Sequence, residues 1–268
     1  MPSKIFGSLV GALLMAWCWL AGAQAGLVTK TVEYRQDGTV MRGFLAYDEG
    51  LTGKRPGILV VHEWWGLNDF AREQAKKVAG LGYVALAADM YGEGLTTQNR
   101  EEAARLAAIR NQPDVLRARV QAALKVLAAD PRVDPRRLAA IGFFFGGTTV
   151  LELAYSGADL KGVVSFHGSL PRPQPDDVKR LKAAILVLHG ADDPLVPAAD
   201  IAAFQQAMRQ AGADWQMVWF GGAVHSFTNP AAGSNQAGGV AYHAPTARRA
   251  WRYMQEFFRD TLAVPGRD

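Results

Sequence analysis

Residues 137–155 read RLAAIGFFFGGTTVLELAY, and this stretch decides the fold. Its apolar start, 138–142, predicts a buried strand, and the run 148–156 predicts a helix. Between them, the spacing of Gly142 and Gly146 around Phe144 is that of a nucleophile elbow, G-x-nucleophile-x-G. Such a turn lifts its central side chain above the sheet. The stretch is therefore either an active-site elbow or a packed strand-to-helix turn without chemistry.

The rest of the chain alternates strands with helices. An Asp37-Gly38 pair inside an alternating stretch predicts a hairpin of two antiparallel strands, Thr29–Arg35 and Thr39–Tyr47. Further strands are predicted at 57–62, 83–89, 138–142, 162–168, 183–190 and 215–222, and helices at 69–81, 100–110, 114–129, 148–156, 199–211 and 245–262. This order predicts an α/β fold with a mostly parallel central sheet, helices on both faces and an N-terminal antiparallel hairpin. The proline-rich segment 168–177 is predicted to be a surface loop.

The first 25 residues have the pattern of a secretory signal peptide. Lys4 precedes an apolar run, Leu9 to Leu20, which ends before Ala23-Gln24-Ala25. The run is short for a membrane span, which needs about 20 residues. We therefore expect cleavage after Ala25, a single domain over 26–268, a periplasmic or secreted location and no stable membrane anchor after cleavage.

Composition excludes several kinds of site. Cys18 is the only cysteine, so a chain cleaved after Ala25 has no disulfide, no zinc-thiolate site and no catalytic thiol. The net charge of +4 comes from scattered basic residues with no run of five, which argues against nucleic-acid binding. We expect a monomer.

Candidate catalytic residues follow the ends of the predicted strands, where open parallel sheets place their chemistry. Asp192 and Asp193 follow one strand, and His225 follows the last one. An elbow, then an acid, then a histidine is the chain order of α/β-hydrolase triads. The acid would hold the imidazole in one tautomer, and the histidine would move the proton of the nucleophile. We predict that Asp193, rather than Asp192, contacts His225.

The chain resembles the dienelactone hydrolase (carboxymethylenebutenolidase-like) family of α/β-hydrolases from about Thr31 to Leu262. The resemblance rests on VVHEWWGLNDFAR (60–72), YVALAADMYGEG (83–94), IGFFFGGTTVLELA (141–154), VVSFHGSL (163–170), LVLHGADDPLVP (186–197) and FGGAVHSFTNP (220–230). It implies a hydrolase that attacks small carboxylic esters or lactones through an acyl-enzyme, without a cofactor.

The resemblance also assigns roles. The family acid falls on Asp193 and the family histidine on His225. Glu63 falls on a glutamate that contacts the nucleophile in the resting enzyme. The backbone N–H groups of Trp64 and Phe145 would bind the oxyanion. Trp65, Tyr91 and His167 are expected to line the pocket. Trp64 and Trp65 are either part of the pocket wall and core or a surface that binds a sugar or aromatic ring.

Two departures from the family pattern concern activity and substrate. The family nucleophile is a cysteine in G-x-C-x-G-G, and Phe144 occupies that position. Phenylalanine has no lone pair to attack a carbonyl, so the chain is expected to be inactive or very weak. The arginine that holds carboxylated lactones in the family is missing after the second parallel strand, where Glu93 lies and the next arginine is Arg100.

Three interpretations of Phe144 stay open: a cysteine was replaced there, the chain is a non-catalytic relative that binds a small molecule in the old pocket, or another nucleophile acts. The candidate hydroxyls for the third are Thr148, Thr149, Ser165 and Ser226, none of them at the apex of the turn. His62, Glu63 and His167 lack the spacing of a metal site, so no metal is expected.

Overall fold

The computed structural model describes residues 26–263. The predicted signal peptide lies outside the described residues. None of the helices in the described part combines the length and the hydropathy that a membrane crossing requires.

Residues 26–263 are organised around one eight-stranded sheet, in the order β1-β2-β4-β3-β5-β6-β7-β8. The strands are β1 (Leu27–Gln36), β2 (Thr39–Asp48), β3 (Arg55–Val61), β4 (Val84–Ala88), β5 (Val133–Phe143), β6 (Gly162–Phe166), β7 (Ala184–Gly190) and β8 (Trp215–Phe220). β1 and β2 pair antiparallel, β2 pairs antiparallel with β4, and every other pairing is parallel. The predicted mixed sheet and its N-terminal hairpin are confirmed.

The helices cover both faces of this sheet. They are α1 (Asp69–Ala79), α2 (Arg100–Ala107), α3 (Pro113–Ala129), α4 (Phe145–Tyr155), α5 (Pro175–Arg180), α6 (Ala198–Ala211) and α7 (Ala244–Thr261), with short 3₁₀ turns at Ala108–Asn111, Pro230–Ala232 and Gln236–Gly238. The buried side chains of α1 and α7 pack in one apolar cluster, and those of α3, α4 and α6 pack in the other. The sheet therefore separates two cores, as a parallel sheet buried on both faces requires.

Helix α4 is the most buried helix, because every one of its residues, Phe145 to Tyr155, is buried. It starts three residues earlier than the predicted Thr148. The elbow turn ends at Phe144, and α4 begins at the next residue, Phe145. This brings the N-terminus of α4 directly onto the carboxyl end of β5.

The segment 168–177 differs from the predicted surface loop. Its last residues form the start of α5, and Asp177 there is buried. The Asp177 carboxylate accepts two hydrogen bonds from the Arg117 guanidinium, at 2.9 and 2.8 Å, and one from Arg180 at 2.8 Å. Arg117 also donates to Glu152 of α4. A buried carboxylate is tolerated here because charged donors from two helices pair with it.

Candidate active site

Five side chains of the predicted site follow the carboxyl ends of neighbouring strands and lie at one edge of the sheet. Glu63 follows β3, Phe144 follows β5, His167 follows β6, Asp193 follows β7 and His225 follows β8. A parallel sheet gathers these ends, so residues far apart in sequence meet there.

Phe144 has the backbone of an elbow residue. Its φ of 51° and ψ of −108° lie outside the regions that side chains favour. Its N–H donates to the Phe166 carbonyl at 3.0 Å. A Cβ on Gly142 would lie 2.0 Å from the Gly146 carbonyl oxygen. His167 and Ser226 also have positive φ, at 41° and 56°, so backbone strain is concentrated around this site.

Asp193 and His225 form a buried pair. The His225 Nδ1 lies 2.8 Å from an Asp193 carboxylate oxygen, and both residues are buried. The other oxygen accepts the N–H of Leu195 at 2.8 Å. Asp192 points elsewhere: it is exposed and accepts the N–H of Gly222 at 2.9 Å. A carboxylate only accepts, so the Nδ1 carries the proton and the Nε2 is left as a base.

The Nε2 of His225 is buried and has no hydrogen-bond partner among residues 26–263. The Phe144 ring lies beside it, with ring centroids 4.5 Å apart and planes at 88°. The same ring meets Trp64 edge-on at 5.7 Å. The one base of the site thus contacts a ring that has no proton to give it.

The four hydroxyls considered as substitute nucleophiles are Thr148, Thr149, Ser165 and Ser226. Those of Thr148 and Thr149 donate to backbone carbonyls at 3.1 and 2.8 Å. That of Ser226 donates to the Glu63 carboxylate at 3.1 Å. Ser165 is fully buried in β6. Within residues 26–263, none of these hydroxyls forms a hydrogen bond with the His225 Nε2.

Glu63 is held by two side chains that the sequence analysis did not assign. Its carboxylate accepts hydrogen bonds from the Ser226 hydroxyl and from the Asn229 amide. Burial raises the pKa of this carboxyl, and the two hydrogen bonds oppose that shift in part. The resemblance placed Glu63 against residue 144, but the hydrogen bonds of Glu63 run to the loop after β8. Both partners, Ser226 and Asn229, lie in HSFTNP (225–230), which is part of one of the segments on which the resemblance rests.

Tyr91 and the two tryptophans line the side of the elbow. The Tyr91 hydroxyl donates to the Trp64 carbonyl at 2.9 Å, and the rings of Trp64 and Trp65 lie 4.8 Å apart. Burial raises the pKa of Tyr91, so it stays a donor. The Tyr91 loop is held by Asp89, another residue that the sequence analysis missed. Its carboxylate accepts four backbone N–H groups, at 2.8 to 3.0 Å.

Two backbone N–H groups beside the elbow are available to an oxyanion. Phe145 is the first residue of α4, where amides lack an intrahelical acceptor and the helix dipole favours negative charge. The N–H of Trp64 follows β3 and donates to no oxygen of the described chain. These are the donors that the resemblance implies.

His62 and His167 are buried and neutral. His62 bonds the Glu63 carbonyl through Nδ1 and accepts the Met90 N–H through Nε2, and burial lowers its pKa to about 4. His167 bonds the Thr228 hydroxyl at 2.7 Å; burial first, and then nearby His225, hold its pKa well below the ordinary value. Within the described ranges, no three His, Cys, Asp or Glu residues are grouped as a metal site would need.

The buried His62 makes stability depend on pH. Its folded pKa of about 4 lies below the unfolded value of 6.5, so the unfolded chain takes up the proton first. The contribution of neutral His62 to the free energy of unfolding is therefore complete above pH 6.5 and is lost as the pH falls towards 4. At pH ~5 we expect the loss to be about 2 kcal/mol of unfolding free energy from this residue.

Urea unfolding at pH ~7.5 and ~5 checks this. His62→Asn, an uncharged replacement, should lower the free energy of unfolding at both pH values. It should also reduce the difference between the two values by about 2 kcal/mol. Parallel profiles for the two proteins would show that His62 does not titrate with folding.

Comparisons with known proteins identify the family of this chain. Residues 41–262 match the model of the dienelactone hydrolase family. The chain is 27% identical to Protein usf of Aquifex pyrophilus over 237 residues, which covers 86% of this chain and 98% of that protein.

Two solved structures are similar over 89% of this chain and 100% of theirs. One is m3DLH, with 43% identity and a TM-score of 0.86. The other is the dienelactone hydrolase-like promiscuous phosphotriesterase P91 from metagenomic libraries, with 41% identity and a TM-score of 0.85. The residues that match the family model, 41–262, extend from β2 to the end of α7 and include every residue of the candidate site. The chain belongs to the dienelactone hydrolase family of α/β-hydrolases.

Proposed function

We propose that this protein has the active-site frame of a hydrolase for small carboxylic esters or lactones, with acyl transfer blocked at Phe144. The observation that carries the proposal is the contact between the Phe144 ring and His225, whose other nitrogen is paired with Asp193. The base, the acid that orients it and two candidate oxyanion donors surround a residue that cannot attack.

We assign the following roles to the residues of this frame. A nucleophile at position 144 would give its proton to the His225 Nε2 and attack the substrate carbonyl. Asp193 would stabilise the imidazolium that forms. The N–H groups of Trp64 and Phe145 would bind the oxygen that becomes negative. His225 would then return the proton to the leaving alcohol, and water would release the acid by the reverse steps.

Glu63 and its partners support this frame. The Ser226 hydroxyl, next to His225, is fixed on the Glu63 carboxylate, and so is the Asn229 amide. These two hydrogen bonds connect the loop that contains His225 to the residues that follow β3, which include Trp64. We propose that Glu63 positions this loop and does not itself transfer a proton in the chain as it stands.

A non-catalytic binding role is the alternative. Phe144 is partly exposed and lies against Trp64, so the two rings give the old pocket an aromatic surface. In that case the pocket would bind an apolar small molecule and release it unchanged. We further propose that the first 25 residues direct the chain to the periplasm or outside the cell.

Hydrolysis of p-nitrophenyl acetate distinguishes these roles. We expect the protein and its His225→Ala variant to give the same slow rate, and Phe144→Cys to give a rate that disappears when His225→Ala is added. A rate in the unmodified protein that depends on His225 would contradict the blocked step. Because the similar protein P91 is a promiscuous phosphotriesterase, an aryl phosphotriester is a suitable second substrate.

A further inference from the structure

A second cavity, outside the candidate active site, lies between α1 and α7. Its volume is about 480 Å³, within the range of about 300–1,000 Å³ usual for small-molecule sites. Phe143 and Phe166, from the carboxyl ends of β5 and β6, line it on the sheet side, with their rings stacked at 4.7 Å. Trp251 of α7 adds a third aromatic wall. The sheet side and one wall of this cavity, which we call the α1–α7 cleft, are thus aromatic.

The α1–α7 cleft is also rimmed by cations. Lys77 of α1 and Arg248 and Arg252 of α7 line it, and no acidic residue does. The two arginines are four residues apart, so they project from the same side of α7. In the part of the chain that the structure describes, none of the three cations forms a salt bridge. Their charge is therefore available to a ligand.

Gln74 of α1 supplies a polar group between the rim and the aromatic wall. It lines the cleft, and only 5% of its surface is exposed. An amide that is nearly buried gains free energy from a partner. A carboxylate or sulfonate oxygen held by the arginines could accept this hydrogen bond.

We propose that the α1–α7 cleft binds a small organic anion with a flat aromatic body and one carboxylate or sulfonate. The body would pack on Trp251 and Tyr242, which are partly exposed, above the buried rings of Phe143 and Phe166. The anionic group would lie at the rim, where an arginine can bind it with two parallel hydrogen bonds.

The α1–α7 cleft adjoins the active site at one point. Thr228 lines the cleft, and its hydroxyl bonds the His167 Nε2 at 2.7 Å. The test must therefore separate binding in the cleft from binding beside Trp64. Tryptophan side chains report on both places, since Trp251 lies in the cleft and Trp64 lies against Phe144.

The experiment is a titration of the whole protein with 2-naphthoate, followed through the tryptophan indole N–H signals in ¹H–¹⁵N NMR spectra. We expect a saturable shift of the Trp251 signal, identified by its loss in Trp251→Phe. Neutral 2-naphthamide should bind at least about tenfold more weakly. Arg248→Ala and Arg252→Ala should each weaken 2-naphthoate binding by about tenfold.

Arg249→Ala is the matched control, because Arg249 is exposed on the same helix and lies outside the cleft. It should leave the affinity unchanged, and urea unfolding should show all three arginine variants folded. An unshifted Trp251 signal, equal affinity for 2-naphthamide, or equal weakening by Arg249→Ala would each overturn the proposal. These outcomes do not depend on whether the site at position 144 is active.

Discussion

Phe144→Cys is expected to raise p-nitrophenyl acetate turnover by a factor on the order of 10⁴ to 10⁶, the cost of removing a nucleophile from a catalytic triad. The change replaces the ring that contacts His225 with a thiol beside the free Nε2. The orienting acid is already in place at 2.8 Å. Steady-state kinetics on the purified proteins measures the gain.

Two neighbouring aspartates give this prediction a matched control. In the Phe144→Cys background, Asp193→Asn should lower turnover by about 10⁴-fold, because an amide can favour the wrong imidazole tautomer. Asp192→Asn should leave turnover unchanged, since Asp192 is exposed and its carboxylate accepts a hydrogen bond from the Gly222 N–H. Equal losses from the two substitutions would contradict the assignment of Asp193.

Gly146→Ala is expected to lower the free energy of unfolding by about 3 kcal/mol or more. A Cβ at this position would lie 2.2 Å from the Val61 carbonyl oxygen and 2.7 Å from that of His62. These are backbone atoms of β3 and of the residue that follows it. They cannot move aside without shifting the strand end that carries Glu63. Urea unfolding followed by circular dichroism measures the change.

Gly221→Ala is the control for this substitution. Gly221 lies in the loop after β8, does not have a positive φ, and an added Cβ would meet nothing within 4 Å. Its unfolding free energy should stay within about 0.5 kcal/mol of the unmodified protein. If Gly146→Ala were equally neutral, the close approach of α4 to β3 would not be required by the fold.

Local patterns in the sequence predicted the sheet and the frame of the site. Asp37 and Gly38 both have positive φ, as a tight hairpin turn requires, so two adjacent residues were enough to place the antiparallel edge. The spacing of glycines around Phe144 predicted the elbow. Chain order alone indicated Asp193 and His225, because each follows a strand and parallel strand ends converge.

Contacts between distant parts of the chain could not be read in this way. Arg117 and Asp177 are 60 residues apart, and nothing local shows that α3 and α5 will meet. Ser226 was considered only as a substitute nucleophile and Asn229 was not considered, because Glu63, which both contact, lies 163 and 166 residues away from them. The α1–α7 cleft likewise depends on two helices, distant in sequence, that cover the same face of the sheet.

Mass spectrometry of the acyl-enzyme tests the central claim most directly. The protein, its Phe144→Cys variant and the same variant with His225→Ala would be quenched soon after mixing with p-nitrophenyl acetate and digested. We expect one acetyl group on the thiol introduced at position 144, less of it when His225 is absent, and none anywhere in the unmodified protein. A folded Phe144→Cys protein with no acetyl group at position 144, or an unmodified protein acetylated at Ser226 or Thr148, would contradict it.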